Sequence, residues 1–276
     1  MLEIPEALTI ARQVEAALLG RSVTRVVAGH SPHKFAWYYE EPSAYSEMLV
    51  GRVIAKTAAP GGKVEVIAGD AVMLFGDGVN LRYHSRGEQH PVKHQLLVEF
   101  DDGSALSGSV QMYGGLWCFP KGSFNNYYYQ VAREKPTPLS PDFAPEYFRG
   151  LTAMPGVAKL STKAFLATEQ RIPGLGNGVL QDILYNAGIH PKRKMGTLTD
   201  ADIENLYAAV KTTLAEMTEL GGRDTEKDLL GNPGGYHTKM SSKTHGQPCS
   251  RCGSIIVKES YMGGAVYYCG LCQVQA

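Results

Sequence analysis

The sequence predicts an α+β chain whose two halves are built on different periodicities. Three observations carry this. A single amphipathic helix opens the chain, and short alternating or apolar runs broken by turn signals follow it. From about Glu146 the apolar spacing becomes helical. The C-terminal tail then reads as a short β-pair bracketed by two CxxC turns.

The opening helix is "IPEALTIARQVEAALLG". Ala7, Ile10, Ala11, Val14, Ala17 and Leu18 fall on one face, and Gly20 stops it. Pro5 and Glu6 suit a first helical turn, since proline lacks only an N–H that would be unpaired there and a carboxylate favours the positive end of the helix dipole. The runs "SVTRVVAG", "KVEVIAG", "AVMLFGDG", "NLRYH", "HQLLVEF" and "SALSGSVQMYGGLWCF" read as mostly antiparallel strands, separated by turn signals such as "GDG" and "FDDGS". "REKPTPLSPDFAP" contains four prolines and reads as a linker. "TKAFLATEQRI", "GVLQDILYNAG" and "DADIENLYAAVKTTLAEMTELGG" read as helices. These shifts set expected boundaries: a β-rich N-terminal domain over 1–133, a linker over 134–145, a helical domain over 146–240 and a cysteine-bearing tail over 241–276.

Composition narrows the class. The 276 residues are 43% hydrophobic, which is enough for a core and argues against global disorder. No basic-then-apolar leader and no apolar run of membrane-spanning length is visible, so a cytoplasmic protein without a membrane partner is expected. The 27 basic and 27 acidic residues cancel. That argues against a nucleic-acid binder, which more often shows a basic surplus, although charge can be segregated by face.

Four of the five cysteines crowd the C-terminus, which is not a disulfide framework. Cys249 and Cys252 form one CxxC pair, and Cys269 and Cys272 form another. Four thiolates so spaced suit one structural zinc ion in a closed tetrahedral site, in preference to a redox dithiol. The isolated Cys118 reads as a small buried hydrophobe. In "RIPGLGNGVLQDILYNAGIHP", Gly174, Gly176 and Gly178 flank Asn177 ahead of a helix. Free N–H groups at that helix start would welcome a phosphate, with Asn177 adding a donor; simple helix packing is the rival reading. His84, His90 and His94 read as a solvated loop, not a metal site, and Tyr127–Tyr129 as interdomain packing.

Taken together and in this order, "PGLGNGVLQDILYNAGIHP", "GQPCSRCG", "YYCGLCQ" and the opening "MLEIPE" resemble the Fpg/Nei family of DNA glycosylases over the whole chain. The resemblance implies an N-terminal antiparallel β-sandwich with a leading helix, a helix–two-turn–helix domain and a zinc-finger β-hairpin, with DNA in the cleft. The implied activity is base-excision repair by a DNA glycosylase that flips oxidised bases out of the duplex. The implied partner is double-stranded DNA, including damaged or abasic duplex, bound by a monomer. Asn177 stands where the family binds phosphate, and Lys163 stands at the family's spacing for another phosphate contact. Lys63 in "PGGKVEV" matches a lysine that reaches phosphates beside the lesion. Glu3 matches the residue that protonates the sugar ring oxygen, and Glu6 the acid that orders the N-terminus. The stretch "GGRDTEKDLLGNPGGYHTKM" occupies the position of a loop that closes over an extruded base.

Departures from the family pattern set limits on what carries over. The family's nucleophile is an N-terminal proline, but position 2 is Leu2, so Met1 is expected to stay and to displace the amine by about 3.5 Å of chain. Gly264 in "MGGAVYY" replaces an arginine that grips phosphate. "SVQMYGGLW" resembles the family's void-filling loop, with Met112 for an arginine and Tyr113 for the aromatic that stacks into a base step. Asp77 falls near the family's void-filling methionine. Three readings therefore stand: a glycosylase with non-proline chemistry, a catalytically inactive binder of DNA lesions or DNA structures, and an RNA-binding module.

Overall fold

In a computed structural model, which describes residues 1–275, the chain begins with α1 (Ile4–Leu18), which buries Ala7, Ile10, Ala11, Val14 and Leu18 as their spacing requires. Next come β1 (Val23–Ala28), β2 (Ala36–Trp37), α2 (Tyr45–Leu49), β3 (Ile54–Ala58), β4 (Val64–Ala68), β5 (Ala71–His84), β6 (Leu96–Phe100) and β7 (Ala105–Pro120). Helices α3 (Tyr127–Glu134), α4 (Pro145–Thr152), α5 (Thr162–Ala167), α6 (Val179–Ala187) and α7 (Asp200–Glu219) follow, and β8 (Val257–Tyr261) and β9 (Gly264–Tyr268) close the chain.

The strands run in the order β1-β6-β7-β5-β4-β3, antiparallel throughout, with β2 adding a short parallel pairing to β7 at Gly114 and Gly115. The long β5–β7 ribbon belongs to both halves of this sheet. Residues 71–77 of β5 pair with residues 114–120 of β7 beside β4, and residues 79–84 pair with residues 105–110 beside β6. Inner-face side chains of both halves, among them Val66, Phe75, Leu81 and Val98, share one core with α1.

"GDG" does not end a strand. β5 runs through it with a bulge between Asp77 and Val79, and Asp77 takes a φ of 60°. A bulge bends a ribbon and aims one residue off the sheet, and here it turns the Asp77 carbonyl to the Leu2 N–H, 2.8 Å away. Nor is the stretch around Met112 and Tyr113 a loop: it lies within β7.

A second core holds Phe143, Phe148, Phe165, Val179, Leu180 and Leu214. Phe143 is fully buried there, so the proline-rich segment is packed against the helical part and is not a free tether. Ile4 joins this second core while Leu2 and Ala7 join the first, so α1 lies across the seam. No described helix is long and apolar enough to cross a membrane.

Candidate nucleic-acid interface and N-terminal site

The free N–H groups expected at the start of α6 are already taken. Glu3 is buried, and its two carboxylate oxygens accept from the Gly178 and Val179 N–H groups at 2.8 Å each. The anion at this helix N-terminus therefore comes from the chain's own first residues. The glycines ahead of α6 make room for this. A Cβ on Gly176 would sit 2.7 Å from Glu3 Oε1, and one on Gly178 would sit 1.5 Å from Arg223 Nη1. Gly174, at φ +81°, meets the turn that precedes β4: its Cβ would fall 2.3 Å from the Gly61 carbonyl carbon. Two glycine turns, one from each half, thus touch backbone to backbone, and the Gly174 carbonyl accepts from the Ile4 N–H at 3.1 Å.

Arg223 went unnoticed in the sequence because its partners lie more than 200 positions away, which no local pattern signals. Its guanidinium is buried and bidentate on Glu6, with Nε–Oε1 and Nη2–Oε2 both at 2.9 Å, and Nη1 stands 3.8 Å from Glu3. Burial raises the Glu6 carboxyl, but the Arg223 charge and its hydrogen bonds outweigh that and hold it below the usual carboxylate range. Burial raises Glu3 as well. There Arg223 and the two N–H donors offset only part of the shift, and Glu6 adds to it, so Glu3 stays above its ordinary value.

The segment carrying Arg223 corrects the expectation of a closing loop. Leu229 is buried in the first core, its N–H bonds Gln13 and its carbonyl bonds the Tyr83 N–H. Asp228 accepts from Arg82 and Gln13, and Tyr236 is buried in the second core. The segment is a strap that ties the helical half to α1 and β5.

The N-terminal amine of Met1 pairs with Glu226 at 2.5 Å, and the Leu2 side chain packs into the first core. A separate cavity of about 480 Å³ is lined by Trp37, Lys63, Asp77, Tyr113, Trp117 and Tyr128, with Gln170 contributed from the helical half. The Trp37 and Tyr113 rings lie 5.7 Å apart. Lys63 is buried, and burial pushes its amine below the usual lysine range, with the Asp77 charge opposing. Met112 is exposed.

Tyr128 faces this cavity, whereas Tyr129 is buried against the β-domain, bonded to Glu65, edge-on to Phe119 and tilted against Phe124. Interdomain packing is thus not what "YYY" does. His84 and His94 are buried rather than solvated: His84 bonds Ser107 at 2.8 Å and His94 stacks on His30.

Lys163 and Asn177 come together at the turn of the β8–β9 hairpin. Lys163 Nζ donates to the Tyr261 carbonyl at 2.6 Å, and Asn177 Nδ2 donates to the Ala265 carbonyl at 3.1 Å. A Cβ on Gly264 would stand 3.6 Å from both Lys163 Nζ and Asn177 Nδ2, in ordinary contact. Gln181 of α6 fixes the hairpin by donating to Ala265 and accepting from the Tyr267 N–H. Behind it, the sulfurs of Cys249, Cys252, Cys269 and Cys272 lie within 4.8 Å of one another, a group able to hold one metal ion.

A β-domain, a helix–turn–helix seam and a four-cysteine hairpin make up the architecture, which is the fold of the solved Fpg structures. The comparisons agree. The Formamidopyrimidine-DNA glycosylase H2TH domain matches residues 135–228. The formamidopyrimidine-DNA glycosylase of Bacillus cereus is 26% identical over 99% of both chains, and that of Brevibacillus brevis is 27% identical over 99% of both. The structure of the MutM (Fpg) protein from Thermus thermophilus superposes with a TM-score of 0.82 at 23% identity, covering 99% of each chain. Lactococcus lactis Fpg in complex with DNA containing an abasic site gives a TM-score of 0.84 at 20% identity, again over 99% of each chain. The chain thus carries the H2TH domain of formamidopyrimidine-DNA glycosylases and is similar to them over its whole length, with Leu2 at its second position.

Proposed function

We propose that the protein is a DNA N-glycosylase that binds damaged duplex DNA and removes oxidised bases without an N-terminal proline nucleophile. The observation that carries this reading is the convergence of Lys163 and Asn177 beside Gly264, on the same side of the helical half as the hairpin turn. Both donors are held by carbonyls that a phosphate oxygen can replace, and phosphate contacts of this kind fix a duplex without reading its sequence. Lys63 and Tyr113, in the cavity, are assigned to the DNA at the lesion, with Tyr113 stacking on the bases. Glu3 and Glu6 order the first turn of the chain, with Glu3 the acid nearest the sugar, while Met1 and Leu2 supply no usual nucleophile. DNA-bound relatives support the reading, since the Lactococcus lactis Fpg complexes contain an abasic site and an oxidised pyrimidine.

One structural zinc ion is assigned to Cys249, Cys252, Cys269 and Cys272. Sulfurs of a tetrahedral zinc site with Zn–S bonds of about 2.3 Å lie about 3.8 Å apart, and the Cys249–Cys272 and Cys252–Cys269 separations are 3.8 and 3.4 Å. Its part is to hold the hairpin turn over Lys163 and Asn177. The units 1–133, 146–240 and 241–276 act as β-domain, helical DNA-binding domain and zinc hairpin, joined by 134–145.

A second reading is favoured by a specific observation: the Met1 amine is engaged by Glu226 and Leu2 is buried. On that reading the protein binds lesions and does not cut. A panel of duplexes with oxidised bases or an abasic site, with undamaged and single-stranded controls, separates the two. Base release supports the glycosylase; tight salt-sensitive binding with no product supports the binder. Undetectable duplex binding at low salt refutes both.

A further inference from the structure

The cavity at the seam holds a nucleophile that the N-terminal site does not use. Lys63 is buried, yet its amine forms no hydrogen bond or ion pair among the described residues, and Asp77 is the one charge that acts on it. Its stem is held in place: a Cβ on Gly76 would sit 3.4 Å from both Lys63 Cγ and the Trp117 ring. The walls are largely aromatic, and about 480 Å³ accommodates a sugar with its phosphate. The N-terminal amine, one residue beyond the Leu2 N–H that bonds the Asp77 carbonyl, is engaged by Glu226. The small pocket around Met1, Leu2 and Glu226 shares no lining residue with this cavity.

We propose that Lys63 is the imine-forming nucleophile of this protein, directed at the ring-opened aldehyde of an abasic deoxyribose. The proposal rests on the DNA-lesion reading above and specifies that the Lys63 amine meets the sugar. An amine in a desolvated site is more often neutral than one in water, and only the neutral amine attacks. The nitrogen lone pair adds to C1′, and the carbonyl oxygen takes up a proton. The carbinolamine then loses water and leaves a protonated imine. Asp77 lines the same cavity, and its carboxyl is raised by burial, with Lys63 opposing, which suits a group that gives a proton to the departing hydroxyl. The Asp77 carboxylate left by that step then takes the C2′ proton, the C2′–H pair forms the new double bond, the 3′ phosphate leaves with its bonding electron pair, and water releases the lysine from the imine. No oxidant or reductant is consumed.

The test is borohydride reduction of the full-length protein with a duplex carrying one abasic site, followed by digestion and mass spectrometry to locate the adduct. The expected result is an adduct on Lys63, reduced at least tenfold in both Lys63→Gln and Lys63→Arg, with gel-shift binding followed in parallel. An adduct on the Met1 amine overturns the proposal, and so does a bound duplex that gives no adduct. If the duplex does not bind, the lesion reading fails on its own. Free 2-deoxyribose 5-phosphate with cyanoborohydride then decides the lysine: selective labelling of Lys63 upholds its reactivity, and labelling no greater than at other lysines overturns it.

Discussion

Replacing Arg223 by methionine keeps the unbranched stem of the side chain and removes the guanidinium and its charge from the seam. Two side-chain bonds to Glu6, both 2.9 Å, disappear, while the Arg223 backbone N–H keeps its own bond to Glu6 at 3.1 Å. Removing one partner of a buried ion pair costs about 3–5 kcal/mol, because the other charge stays buried without compensation. For a chain of this size that corresponds to a fall in Tm of roughly 10 °C. The pH dependence follows from the direction of the Glu6 shift. Glu6 is held below its ordinary value, so its stabilisation is complete above the unfolded pKa of about 4.3 and is lost as pH falls through the folded value. In Arg223→Met only backbone hydrogen bonds are left to oppose burial, and Glu6 shifts upward instead. Its charge then destabilises the fold at pH 7 and is relieved by protonation as pH falls. Urea unfolding at pH 7 and near pH 4 should therefore show a large gap between wild type and variant that narrows in acid. A loss under about 1 kcal/mol at pH 7, or a gap that widens in acid, would refute the assignment of Arg223 as the seam's buried counter-charge.

Four further outcomes are expected. Gly174→Ala should cost at least about 2 kcal/mol in urea unfolding, since its Cβ would meet the Gly61 backbone at 2.3 Å and a side chain at φ +81° is strained; stability equal to wild type would remove the close approach of the two halves. Gly264→Arg places its Cβ in ordinary contact and adds a charge beside Lys163 and Asn177, so duplex affinity should rise about tenfold and the log–log salt slope should steepen by about 1; unchanged affinity and slope would remove the hairpin turn from the DNA interface. Chelating zinc, or Cys249→Ser, should raise hydrogen exchange in residues 241–275 and weaken DNA binding while the β-domain melts unchanged; a metal-free protein with a fully protected hairpin would contradict this. Glu6→Gln should lower Tm more than Glu3→Gln, because the fold favours the charged form at Glu6 and disfavours it at Glu3; the reverse order in a thermal melt would show that the two shifts are misassigned.

What the sequence makes legible is whatever is written locally. The face of α1 is carried by residues spaced three and four apart, and the four cysteines by two identical turns. "KVEVIAG" and "HQLLVEF" become β4 and β6 nearly residue for residue. Where local signals conflict with distant ones, the distant ones win. "GDG" carries the composition of a turn, yet the strand continues, because the Leu2 N–H takes the Asp77 carbonyl and β7 pairs across the bulge. Residues 54–58 show little strand pattern, since β3 sits at the sheet edge and leaves Lys56 exposed, and α2 is too short to display a period. The strap through Arg223 and Leu229 is rich in glycine and charge, which reads as mobile until its partners on α1 and β5 are in view.

Glu3 shows why a residue can be legible while its surroundings are not. The resemblance of "MLEIPE" to the family's opening marks it as a candidate acid. What the sequence does not show is that the same carboxylate closes the N-terminus of α6, across 175 positions of chain. The two roles constrain each other. A carboxylate that accepts from two backbone N–H groups is fixed in orientation, which a positioned acid requires. Burial keeps it above its ordinary pKa, so it holds a proton more readily than a free carboxyl does. Protonation, however, weakens the acceptance that fixes it, so proton transfer at Glu3 is coupled to the grip of α1 on α6. The glycines at 176 and 178 are therefore required by the carboxylate and guanidinium of this seam, and the phosphate contacts fall to Lys163 and Asn177 at the hairpin on the proposed reading. In this chain the first residues join the two halves, and on the proposal above the unengaged cavity amine at Lys63 is the group with the space for covalent chemistry.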